Sequence, residues 1–98
     1  MEQFTLQTFM YIDPAENIDL ALVDFRTVLN QPYFAGLSPT IKHTARPGQL
    51  SFECNFSAPD ADGAEEKADH IIHELLNAVA GINPCREVSR GSDMLAYA

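Results

Sequence analysis

Glu66, His70 and His73 stand at i, i+4 and i+7. On a helix that spacing projects all three side chains from one face, where two imidazoles and a carboxylate can meet a divalent cation. Glu74 completes the string His-x-x-His-Glu. This is neither the zincin order His-Glu-x-x-His nor its inverse, His-x-x-Glu-His. The same face lies opposite an apolar stripe, and solvated helix surface is the weightier reading of it. The sequence therefore predicts no metal and no cofactor; if a metal were held, Glu66, His70 and His73 would hold it.

His43 is in phase with Ile41 and Ala45 on a strand-like segment, which turns it toward the core or its rim as a hydrogen-bonded structural histidine. Cys54 alternates in phase with Leu50, Phe52 and Phe56, so burial should raise its thiol pKa and leave it inert. Cys85 follows Pro84 at an element boundary and has no readable role. Two cysteines without a Cys-x-x-Cys pair give no disulfide framework, zinc knuckle or redox motif. The glycines, Gly36, Gly48, Gly63, Gly81 and Gly91, form no phosphate loop or dinucleotide fingerprint, and no nucleophile elbow is present. No catalytic residue is proposed from the sequence.

The elements that would position these residues are legible. Residues 3–12 alternate, with Phe4, Leu6, Thr8, Met10 and Ile12 on one face and Thr5, Gln7, Phe9 and Tyr11 on the other, which predicts a first strand. Asp13, Pro14 and Glu16 read as an N-cap, a first helical proline and a capping-box carboxylate. The helix they open carries Ile18, Ala21, Leu22, Phe25, Val28 and Leu29 on one stripe to about residue 30, and Pro32 ends it. Residues 31–39 are too apolar for a solvated loop and suggest a short turn of helix. Residues 40–46 and 49–57 alternate again around Pro47-Gly48, predicting a hairpin whose second arm is the clearest strand in the chain.

Asp62 with Glu65 signals a second helix, whose stripe is Ala64, Ala68, Ile71, Ile72, Leu75 and Val79, and Gly81-Ile82-Asn83-Pro84 reads as its left-handed stop. Val88, an Arg90-Gly91-Ser92-Asp93 turn, and Met94, Leu95 and Tyr97 then make one strand or two short ones. Two single-faced helices and strands wet on one side imply an α+β fold for residues 1–98 as one domain. It is a two-layer, ferredoxin-like βαββαβ sandwich: an antiparallel sheet with both helices on one face.

Composition narrows the function classes. The 98 residues are 46% apolar and 20% charged, with a formal charge of -8. Six Lys and Arg in no cluster cannot neutralise a run of phosphates, so neither nucleic acid nor anionic membrane is an expected partner. No basic, apolar leader precedes the first strand, and the expected compartment is the cytoplasm. Asn55-Phe56-Ser57 matches a glycosylation acceptor only formally, in a strand context.

The open sheet face is the candidate binding surface. It should gather Phe9, Tyr11 and Gln7 with Lys42, Thr44 and Arg46 and with Glu53 and Asn55; Phe9, Tyr11, Lys42 and Arg46 are the residues expected to bind. The leading expectation is a non-enzymatic interaction or regulatory module, homodimeric through that face or an edge strand, with a homo-oligomer or another protein as partner. The alternative is a small enzyme or ligand carrier of the dimeric α+β-barrel type, with a cavity between sheet and helices, an unidentified ligand, and His43 and Tyr11 as polar groups.

Overall fold

The computed structural model describes residues 1–82 and 87–98. The alternation of the first segment becomes strand β1, Glu2–Asp13, and that of the hairpin's second arm becomes β3, Gln49–Ala58. The two pair antiparallel from Glu2 opposite Ala58 to Tyr11 opposite Gln49. Because side chains alternate strictly across a strand, one register decision sends Phe4, Leu6, Met10, Ile12, Leu50, Phe52, Cys54 and Phe56 to the same buried side. Strand β2, Thr40–His43, adds to β3, and β4, Glu87–Tyr97, adds to the other edge of β1, giving the sheet order β2-β3-β1-β4.

Helix α1, Ile18–Leu29, and helix α3, Ala61–Ile82, bury their apolar stripes against that side. Phe25, Val28, Ile71, Ile72 and Leu75 have no exposed surface, and each such side chain contributes roughly 1.5–3 kcal/mol through removal from water. A short helix α2, Pro32–Ala35, inserts Phe34 as a cap on the core, the helical turn expected from the apolar loop. The fold is the ferredoxin-like α+β sandwich.

Several boundaries differ from the local signals. Asp13 does not cap a helix: it remains in β1, opposite Glu87, Pro14 is extended (ψ 147°), and the Asp13–Pro14 peptide is cis. A 3₁₀ turn, Ala15–Asn17, follows, and α1 starts only at Ile18, without a side-chain cap. Sheet pairing outcompetes the capping box here. At α3 the cap is Asp60, two residues before the expected Asp62, with Oδ1 accepting from the N–H of Gly63 at 2.7 Å. Gly81 lies inside α3, not in a left-handed stop; Asn83, Pro84 and Cys85 fall outside the described residues.

Strand β2 ends at His43, and Arg46 lies in the turn, where its carbonyl accepts from Gln49. Gly48 requires its glycine: φ is +73°, and a Cβ would stand 2.9 Å from that of Ala15. This close approach lets the Gly48 carbonyl accept from Ile12 at 2.8 Å and ties the hairpin to the end of β1.

Candidate functional site

Two surfaces position polar groups. On the open face of the sheet, directly opposed residues of β1 and β3 are linked side chain to side chain. Gln3 donates to Ser57 at 2.5 Å, Thr5 to Asn55 at 2.8 Å, and Gln7 to the diagonal Ser51 at 3.3 Å. At the hairpin end Thr44 donates to Gln49, which donates in turn to the Tyr11 hydroxyl at 3.0 Å. Such cross-strand pairs fix rotamers before any partner arrives, so less side-chain freedom is lost on association. Ser51 and Gln49 are already buried on this side.

Apolar groups sit among the pairs: Phe9 half-buried, Tyr11 partly exposed, and Met94 of β4 63% exposed. Among the described residues Glu53 is the sole carboxylate on the face between its ends, and Lys42, opposite Ser51, is its cation. Three of the four expected binding residues, Phe9, Tyr11 and Lys42, therefore share this face, while Arg46 has left it for the turn. Half of the 14 acidic side chains lie on the other layer, where α1 and α3 carry Asp19, Asp24, Asp62, Glu65, Glu66, Asp69 and Glu74.

The second surface was not legible as a site. Thr8, with no exposed surface, donates its hydroxyl to Asp93 Oδ1 at 2.7 Å from the helix side of the sheet. Arg90 forks onto the same carboxylate and reaches Asp69 of α3 at 2.7 Å. Burial works to raise the Asp93 pKa, but the hydrogen bonds from Arg90 and Thr8 and the charge of Arg90 outweigh it and hold the carboxyl below its usual range. Hydrogen bonds to Asp93 and then Asp69 raise Arg90 in turn.

This network spans a cleft of about 370 Å³ between α3 and β4, floored by Leu6, Ala68 and Leu95. A second cleft, about 360 Å³ and lined by His70, His73 and Leu76, lies on the other side of the Arg90–Asp69 bridge. The reason it escaped sequence reading is distance along the chain, since Thr8 and Asp93 are 85 residues apart. The available signal was the phase slip in β4, which puts Val88, Arg90, Asp93 and Leu95 on one face.

The remaining candidates are dispersed. His43 is exposed at the rim, not in the core, and pairs with Asp19 of α1 at 3.2 Å. Tyr11 lies on the opposite side of the sheet from both clefts, and neither it nor His43 lines them. Glu66, His70 and His73 are exposed on α3, and His70 meets the ring edge of Tyr33 at 6.1 Å. Among the described residues no group of three His, Cys, Asp or Glu is placed to hold a metal ion. Cys54 is buried, and its thiol is pushed up to about 12 by desolvation. No helix among the described residues is long and apolar enough to cross a membrane.

No protein-family model matches the chain. No curated protein matches it either. Solved structures do share its architecture. A candidate antibiotic biosynthesis monooxygenase from Chloroflexus aurantiacus J-10-fl superposes with a TM-score of 0.54 at 14% identity, over 98% of this chain and 92% of that one. A dimeric ferredoxin-like protein from an uncultured marine organism superposes with a TM-score of 0.52 at 16% identity, over 93% and 87%. At these identities the likeness is one of fold, and it places the chain in the ferredoxin-like class of α+β proteins.

Proposed function

We propose that this chain is a homodimeric, non-enzymatic interaction module whose two copies stack through their open sheet faces. The observation that carries the reading is the composition of that face: paired amides and hydroxyls around Phe9, Tyr11 and Met94, with Glu53 and Lys42 as the charges between its ends among the described residues, on a molecule of net charge -8. Depletion of charge with enrichment of aromatics and Met is what distinguishes the centre of an interface from ordinary surface. Stacking the sheets leaves the acidic helix layers on the two outer sides, where their repulsion is smallest. Three strands of 12, 10 and 11 residues and one of 4, about 4.8 Å apart and rising about 3.3 Å per residue, offer roughly 600 Å² a side, at the low end for a specific interface. One protein of similar fold is dimeric, which is consistent with a homo-oligomer.

Analytical ultracentrifugation tests this. The wild type should sediment as an oligomer containing the sheet-to-sheet contact, and Phe9→Ser with Tyr11→Ser should remove that contact and halve the mass. A wild-type monomer at high micromolar concentration, or an unchanged mass in the double variant, rules the assembly out.

The α3–β4 cleft favours a second reading, a ligand carrier or small enzyme. Its volume falls within the usual range for small-molecule sites, and Arg90, Asp69 and Asp93 converge on its mouth above an apolar floor. That one similar fold belongs to a candidate monooxygenase is consistent with such a use. Native mass spectrometry of protein purified from its own host distinguishes the two: a retained mass lost in Arg90→Ala supports the ligand site, and a bare polypeptide mass counts against it.

A further inference from the structure

The two sheet edges are unequal. Strand β2 is four residues long, a common way of blunting an edge, whereas β4 runs eleven residues with neither Pro nor Lys and, among the described residues, has no strand on its outer side. Its pairing with β1 slips between Thr8 and Met10, so that Gly91 and Ser92 together oppose Phe9. In a regular strand residues 90 and 93 would face opposite ways. The bulge restores their phase: Asp93 meets Thr8, and Arg90 meets Asp69, both on the helix side. Val88, opposite Ile12, and Leu95, opposite Leu6, share that side.

From Val88 to Leu95 the helix-side residues thus read Val88, Arg90, Asp93, Leu95, a pattern symmetric about the Gly91–Ser92 step in shape and antisymmetric in charge. We propose that the free edge of β4 pairs antiparallel with β4 of a second copy about a two-fold axis through that step. In this register Arg90 lies opposite Asp93 of the other copy, and Val88 opposite Leu95. The two cations and two carboxylates alternate in one quartet, and opposite-charge and apolar pairs of this kind favour one register over its neighbours. A bulge ordinarily blunts an edge; here both strands carry it at the axis, residue for residue, so the ladder stays in step. The result is one continuous eight-stranded sheet, an interface separate from the stacking of open faces.

The charges make the test reciprocal. Arg90→Asp puts four carboxylates at the axis and Asp93→Arg four guanidinium groups, so each variant alone should show half the wild-type mass by sedimentation. An equimolar mixture of the two should recover the wild-type mass as a heteromer, each variant first shown to be folded by circular dichroism. Retention of the wild-type mass by either variant, or failure of the mixture to recover it, overturns the proposal.

Phe9→Ser with Tyr11→Ser separates the two interfaces. With both contacts real, the wild type is a tetramer and this variant a dimer; a monomeric variant removes the β4 pairing and leaves the sheet stacking standing. If instead the charge variants do not fold, hydrogen exchange on the wild type decides: amides of residues 88–95 should slow as concentration rises from low to high micromolar, and unchanged rates there overturn the pairing.

Discussion

The ring of Tyr11 lies on Gly91: a Cβ at residue 91 would stand 2.6 Å from Tyr11 Cε2 and 2.9 Å from the carbonyl oxygen of Phe9. The bulge in β4 and the aromatic of the open face are therefore one feature. The missing side chain makes the floor on which Tyr11 rests while its hydroxyl accepts from Gln49. Gly91→Ala should displace the ring and cost about 1–3 kcal/mol, as overpacking does. Urea unfolding measures the loss, and tyrosine fluorescence in the native baseline should report the moved ring.

Thr8→Val keeps the shape of a fully buried side chain and removes the hydroxyl that Asp93 accepts from. Leaving that carboxylate one donor short should cost about 1–2 kcal/mol in denaturant unfolding at neutral pH.

Asp93 also links stability to pH. Its folded pKa is depressed, so its contribution is fully present above the unfolded carboxylate value, near 3.9, and is lost as pH falls through the lower folded value. Melting temperatures followed downward from pH 5 should fall, and Asp93→Asn should flatten the part of that slope below about pH 4.

Cys54, with its thiol pushed up to about 12, should resist alkylation at pH 8 in the folded protein and react on addition of urea. Peptide mapping of the modified cysteine checks this residue by residue.

Asp60→Ala should lower stability by about 1 kcal/mol through loss of the bond to the Gly63 N–H, whereas Asp62→Ala, at a position with no such bond, should change little. Thermal melts of the two variants decide which aspartate caps α3.

The sheet and its buried face were readable because strand periodicity and burial follow the same parity. Leu50, Phe52, Cys54 and Phe56 declared β3 without reference to anything distant, and the two helical stripes did the same for α1 and α3. Errors arose where a local signal had to compete with pairing. Asp13-Pro14 carries good capping chemistry, yet Asp13 is drawn into the ladder with Glu87. Arg90-Gly91-Ser92-Asp93 has the composition of a turn, and β1 alongside it holds the segment extended as a bulge.

Half of the candidate surface was visible in advance, since alternation alone places Phe9, Tyr11 and Lys42 together. The Thr8–Asp93–Arg90–Asp69 network was not, because no periodicity ties residue 8 to residue 93 or either to the middle of α3.

The seven carboxylates of α1 and α3, against Asp13, Glu53 and Glu87 on the open sheet face, make each molecule a particle with a more acidic and a less acidic side. Over a cationic support such as an anion-exchange resin or an aminated sensor chip, the field acts mainly on the carboxylates of α1 and α3. Captured protein should settle on one acidic helix layer with its sheets lying in a common orientation over the support, so that the surface itself aligns the protein without a tag.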